Sequence, residues 1–322
     1  MARKIRIEYP GACYHVINRG NYRSYIFEGA NARRKFIKTL QECCQAKGWV
    51  LHAWCLMGNH YHLCIQTPEP NLVEGMRWLQ STFANHFNRV RKASGHVFQG
   101  RYKAILLDGG ALGPVCHYIH LNPVRAGIVE AGKLEDYPHS SFHQLANKGK
   151  RWPFCDYTTA LDAAGHLADT PKGREMYKAY LAWLAEEDVS QKRMGFENMC
   201  KGWAQGTKEF KERVLANMDA GDFAKVVEGE ASEIREALFS RSLAEILTIL
   251  GKTEEDLGNT KKGEPWKVAA ARYLRDKFLA PNKWIAENLQ MGAVSHVQSK
   301  VSCHRKLKPG EDKYWEALEK HE

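Results

Sequence analysis

The sequence predicts an α+β protein: one antiparallel sheet with helices packed on it, followed by an all-α region that ends in a helix-turn-helix. Three observations predict it. Strand-like runs and helical periodicities alternate through residues 1–146. After Asn147 the strand signals fade and amphipathic helices take over. Near the C terminus a capped helix, a glycine turn and a second helix follow one another.

The elements follow in order. Residues 12–18 read as a strand and residues 31–46 as a helix. Residues 49–57 and 61–67 read as two strands joined at Gly58-Asn59, a favoured hairpin element. From Asn71, the expected cap, Leu72, Met76, Leu79, Phe83, Phe87 and Val90 recur at three- or four-residue intervals, the stripe of a helix packed on the sheet. Its other face carries Arg77, Arg89 and Arg91, a solvated face. Residues 97–107 read as a further strand with Arg101 and Lys103 on one side. Leu112, Val115, Cys116 and Ile119 mark the buried side of a short helix expected to end near Asn122, because proline disfavours helical geometry in the residue before it. Tyr118 falls off that stripe.

Asn147-Lys148-Gly149-Lys150-Arg151 is a polar, basic link, and residues 174–187 and 205–217 read as helices. Residues 266–274 form a strong helical segment. Asn282 is then expected to cap a helix through Leu289, Met291-Gly292 to turn, and residues 293–303 to form a helix burying Val294, Val297 and Val301. The expected division is 1–146, a mixed domain; 147–235, a helical linker region; 236–308, the helix-turn-helix domain; and 309–322, a tail.

The 322 residues carry a formal charge of +10, which favours a polyanionic partner, since Lys and Arg neutralise phosphates and release counterions. Nine cysteines without a Cys-x-x-Cys spacing give neither a disulfide framework nor a thiolate zinc site; Cys13, Cys55 and Cys64 read as buried thiols in strands. No apolar run approaches a membrane span and the first residues lack a signal segment, so a cytoplasmic, nucleoid-associated protein is expected.

The chemistry starts at Gly58-Asn59-His60-Tyr61-His62. Alternate residues of a strand share a face, so His60 and His62 present two imidazoles side by side, a pair suited to a divalent ion. Asn122, four residues after Tyr118, shares its helical face and is the candidate third ligand through its amide oxygen. Two imidazoles, an amide oxygen and no thiolate suit Mg²⁺ or Mn²⁺ acting on a phosphate ester beside the Tyr118 hydroxyl. His120 is a weaker candidate for a general base.

Cys13-Tyr14-His15-Val16-Ile17-Asn18-Arg19-Gly20-Asn21, the two-histidine segment, Phe98-Gln99-Gly100-Arg101-Tyr102-Lys103, Tyr118-Ile119-His120-Leu121-Asn122-Pro123-Val124-Arg125-Ala126-Gly127 and Tyr137-Pro138-His139-Ser140-Ser141 follow in one order. Over residues 5–145 the series resembles the REP-associated tyrosine transposases and the related insertion-sequence tyrosine transposases, within the histidine-hydrophobe-histidine (HUH) class of single-strand DNA nucleases. The resemblance implies a ferredoxin-like or RRM-like sheet, Tyr118 as nucleophile, and cleavage of single-stranded DNA next to hairpins formed by REP-like palindromes. Arg19, Asn21, Arg101, Lys103 and Arg125 lie in its recurring segments and are expected to contact DNA. The C-terminal pattern resembles the duplex-binding domain of bacterial replication initiators, which places Ser295, His296, Gln298, Ser299 and Lys300 at the major groove and His304, Arg305 and Lys306 near phosphates. The competing expectation is a catalytically silent DNA-binding protein or repressor; the sequence leaves monomer and homodimer open.

Overall fold

The computed structural model describes residues 7–216, 232–308 and 310–320. They form two compact units, divided between Lys211 and Glu212.

The first unit is built on a sheet with the order β2-β3-β1-β4-β5, where β1 is Ala12–Arg19, β2 Val50–Leu56, β3 His60–Thr67, β4 Lys103–Leu107 and β5 Ala204–Gln205. The first four strands pair antiparallel; β5 adds to β4 in parallel. Helices α1 (Ala30–Lys47), α2 (Leu72–Arg91) and α3 (Gly109–Arg125) pack on it. Alternation sorts the side chains between two layers. Tyr61 of β3 meets Phe36 of α1, and Phe27 and Phe83 complete that aromatic layer. Cys64 of β3, with Ala53 and Cys55 of β2, lies in the other layer beside Val115, Cys116 and Ile119 of α3. The expected burial of Cys55 and Cys64 holds, and Cys13 is half-buried.

The outer edge of β2 is covered rather than exposed. Leu56 N donates to His139 O, Ser141 Oγ bonds to Trp54 N and O, and Leu51 exchanges backbone hydrogen bonds with Phe154 and Asp156. Trp54 stacks on Trp152 at 4.9 Å. The Tyr137-to-Ser141 motif therefore blocks a pairing edge.

Several elements differ from expectation. The strand expected over 97–107 pairs regularly only from Lys103, because Asn18 Nδ2 takes Gly100 O and breaks the ladder. Helix α3 runs through both Pro114 and Pro123 to Arg125 instead of stopping near Asn122; burial of ten consecutive-turn residues from Gly113 to Pro123 outweighs the lost donors. Asn71 stands at the cap position of α2, but its amide ties Trp49 Nε1 and Lys47 O instead of capping.

The largest difference is in the linker region. Helices α4 (Ser141–Ala146), α5 (Thr158–Ala163), α6 (Pro171–Glu186) and α7 (Asp188–Arg193) continue the first unit, so a division at 146 does not describe the fold. Ala160, Leu161, Tyr177, Leu181 and Leu184 are buried in the same core as α3. Arg151 and Arg174 clamp Asp169 at 2.5–2.9 Å.

The second unit is all-helical: part of α8 (Lys208–Ala216), then α9 (Ser232–Ile249), α10 (Glu254–Asn259), α11 (Pro265–Phe278), α12 (Asn282–Asn288), α13 (Val294–His304) and α14 (Lys313–Glu319). Helices α12 and α13 flank a turn in which Gly292 takes φ +83°. Val297 and Val301 are buried as expected, but Val294 is exposed. Pro281, not Asn282, occupies the cap position of α12, and Asn282 is its first helical residue. The tail expected over 309–322 contains α14, capped by Asp312 and fixed by Arg272 over the Trp315 ring at 3.7 Å. Among the described residues no helix is long and apolar enough to cross a membrane.

Candidate active site

The β2-β3 hairpin brings His60 and His62 onto one face of the sheet, with ring centroids 5.1 Å apart and rings at 84°. His62 lies opposite Ile17 of β1, and His15, two residues away on the same face, reaches it across the strand pair. His15 Nε2 is 2.9 Å from His62 Nδ1, and His15 Nδ1 is 2.9 Å from Met199 O. His60 Nδ1 donates to Asn59 Oδ1 at 2.6 Å, since an amide oxygen only accepts; the Nε2 lone pair stays open. Burial pushes His60 and His15 down to about 4, with Arg19 and Lys103 respectively adding to the shift, and burial also holds His62 well below the ordinary imidazole range. All three rings are neutral near pH 7.

Helix α3 brings Tyr118 to these imidazoles, 5.7 Å from His62 and 5.9 Å from His15 between centroids. Far from lying outside the apolar layer, Tyr118 is 8% exposed, edge-on to Phe196 at 5.5 Å and beneath the Arg125 guanidinium at 4.7 Å. Its Oη is 3.2 Å from Cys200 Sγ. Burial first, and Cys200 next, raise the phenol above its ordinary pKa, while Arg125 acts the other way. Asn122 Nδ2 donates to Tyr118 O at 3.0 Å, which leaves its Oδ1 as a free acceptor type.

These groups line one cleft of about 720 Å³. Its walls include His60, His62, Tyr118 and Asn122 with Arg19, Arg101 and Lys103. Arg23 joins them. Lys103 Nζ also donates to Cys200 O at 2.8 Å. Asn21 is not among the lining residues; it donates through N to Val97 O, accepts from Tyr22 N at Oδ1 and accepts from Ser24 Oγ at its carbonyl oxygen. Arg125 lies over Tyr118 rather than among the lining residues.

His120 does not reach the site. It is buried between Tyr177 Oη at 2.9 Å and Ser141 Oγ at 2.8 Å, so both ring nitrogens are engaged away from Tyr118.

A divalent ion fits the donor set. Among the described residues no three His, Cys, Asp or Glu side chains form a metal group, so any ion held by His60 and His62 takes its other ligands from an amide such as Asn122, from water or from phosphate.

In the second unit Ser295, Gln298, Ser299 and Lys300 are exposed on α13, and His296 is half-buried. Arg305 is paired with Asp276. His304 is buried against Asp312 at 2.6 Å, which removes it from the phosphate-facing set.

His15, Arg23, Phe196, Met199 and Cys200 escaped the sequence reading. His15 carried a signal: it is in phase with Ile17 and Arg19 on a strand face. Arg193-Met194-Gly195-Phe196 reads as an ordinary turn in preference to a DNA contact, and Met199 and Cys200 carried no signal, lying more than seventy residues beyond Tyr118.

Residues 9–122 match the family model described as "Transposase IS200 like". A Haemophilus influenzae protein, provisionally named a REP-associated tyrosine transposase, is 26% identical over 143 residues, covering 41% of this chain and 78% of its own. A solved structure of a REP-associated tyrosine transposase bound to a REP hairpin aligns with a TM-score of 0.39 at 19% identity, over 47% of this chain and 89% of its own. The family resemblance read from the sequence is borne out for this N-terminal part.

Proposed function

We propose, on the premise that residues 9–122 carry an IS200-like transposase domain, that this chain cleaves and rejoins single-stranded DNA through a 5′-phosphotyrosine at Tyr118. The observation that carries the reading is the meeting of His60, His62, Tyr118 and Asn122 in one cleft with Arg19, Arg101 and Lys103.

The arginines and Lys103 hold the phosphate backbone of a strand whose bases are unpaired, so that a scissile phosphate reaches the Tyr118 hydroxyl. Tyr118 Oη gives its proton to water and forms a bond to phosphorus, the bond from phosphorus to the 3′-oxygen breaks, and the 3′-oxygen takes a proton from water and leaves as a hydroxyl. A 3′-hydroxyl of a second strand reverses the step and gives strand transfer. His60, His62 and Asn122 would hold Mg²⁺ or Mn²⁺, which when bound would polarise the phosphate and ease loss of the phenol proton. Arg125, over the Tyr118 ring, favours the phenolate in the same direction. The target is single-stranded DNA beside REP-like hairpins, the substrate that the sequence resemblance implies, and the name of the Haemophilus influenzae relative carries the REP association. The exposed face of α13, with Ser295, Gln298, Ser299 and Lys300, binds duplex DNA, with His296 beside it.

The test is purified protein with a labelled single-stranded oligonucleotide pool containing palindromic repeats of its own genome, with Mg²⁺ or Mn²⁺, on a denaturing gel. A metal-dependent covalent band that Tyr118→Phe removes is the expected result. Binding of every repeat without cleavage would sink it and leave the silent, repressor-like protein.

A further inference from the structure

We propose that His15 is a positioning residue that fixes the tautomer of His62 and so leaves His62 Nε2, not Nδ1, as the nitrogen available to a metal ion. The inference rests on the reading of His62 as a ligand, yet its core statement concerns the metal-free protein.

The donor and acceptor types along one hydrogen-bonded chain carry it. Met199 O only accepts, so the hydrogen of the 2.9 Å contact sits on His15 Nδ1. His15 is fully buried, and its two hydrogen-bond partners are a carbonyl oxygen and an imidazole nitrogen. A ring there with hydrogens on both nitrogens would be a buried cation that neither partner neutralises. His15 Nε2 therefore holds a lone pair and accepts, which makes His62 Nδ1 the donor across 2.9 Å. The single hydrogen of neutral His62 is then used, and its Nε2 keeps the lone pair. Asn59 does the same for His60 by taking its Nδ1 hydrogen. Two unlike devices thus present two matched Nε2 donors on one strand.

The far end of the chain is set by the tertiary structure. Met199 precedes Cys200, whose carbonyl accepts from Lys103, and the backbone beyond it is pinned to β4, where Leu106 N donates to Trp203 O and Asp108 N to Gln205 O. A segment outside the family-matched residues 9–122 therefore orients the ligand inside them.

The experiment uses the full chain with its histidines ¹⁵N-labelled. Long-range ¹H–¹⁵N spectra without metal identify the His62 ring by its loss in His62→Ala. A hydrogen on Nδ1 is expected; a hydrogen on Nε2 overturns the proposal, whatever the DNA chemistry proves to be. In His15→Phe, the Nδ1-hydrogen form of His62 should no longer predominate, and Mn²⁺ affinity measured by calorimetry should fall about 10–100-fold. His15→Gln, whose amide oxygen accepts from His62 Nδ1, should restore most of that affinity. Unchanged Mn²⁺ affinity in a folded His15→Phe would equally overturn the proposal. If the wild type binds no Mn²⁺, the metal reading fails while the spectrum still decides the tautomer.

Discussion

At the scale of residues, the site is a buried phenol held among neutral imidazoles. Tyr118 pairs with Cys200 Sγ in the resting protein, and burial keeps its proton in place. Tyr118→Phe should lower covalent adduct formation by about three orders of magnitude or more. Non-covalent binding of the same oligonucleotide should stay within about twofold, because backbone contacts carry most of that affinity; both are read on one set of gels and anisotropy titrations. Cys200→Ala removes a group that raises the phenol's pKa while leaving the larger effect, burial, mostly intact. The rising limb of cleavage rate against pH should therefore move to lower pH. A limb that stays in place, or moves up, would show that Cys200 does not hold the proton.

At the scale of elements, close approaches explain residues that local propensity disfavours. Gly75 sits inside α2, where glycine costs helix stability, because a Cβ there would overlap the Trp49 indole. Gly75→Ala gains helix propensity but overpacks the contact between α2 and Trp49, so a net loss of about 1–3 kcal/mol is expected in urea unfolding. Helix α3 shows the same balance from another side: its two prolines cost donors, and the core it fills outweighs them. The register of the hairpin matters most. A slip of one residue would turn His60 and His62 away from His15 and Tyr118 and bring Tyr61 out of its aromatic layer.

At the scale of the whole molecule, the division between Lys211 and Glu212 has a direct consequence. A fragment ending at Lys211 should fold cooperatively, whereas one ending at Ala146 exposes the α3 core that Tyr177, Leu181 and Leu184 cover. Circular dichroism and urea titration of the two fragments separate the cases; a cooperative shorter fragment would refute the assignment. The buried histidines give the unit an acid limit. His15 and His117 are pushed down to about 4 and His120 to about 3, in each case by burial first. Unfolded histidine takes up its proton near 6.5, so the unfolded state binds more protons below that pH. Stability is thus full above about 6.5 and falls as the pH drops toward about 4, by on the order of 2 kcal/mol for each ring at pH 5. Thermal unfolding at pH 7.5 and pH 5 should show a clear drop in midpoint; equal midpoints would mean that these rings are not held neutral.

The sequence alone sets β1, β2, β3, their hairpin and the pairing of His60 with His62, because period-two alternation and a Gly58-Asn59 turn are local properties. It also determined the stripe of α2 and, by family resemblance, the candidate role of Tyr118. What it could not fix were contacts made between distant segments. The place of residues 147–211 in the first unit, the return of Met199 and Cys200 to the site, and the engagement of both nitrogens of His120 depend on which faces meet after folding. Proline and apolar spacing foretold a shorter α3 and a Tyr118 outside the core, since both rules weigh only neighbours along the chain. Burial decided otherwise, because the free energy of removing apolar surface from water belongs to the assembled core and not to any one segment.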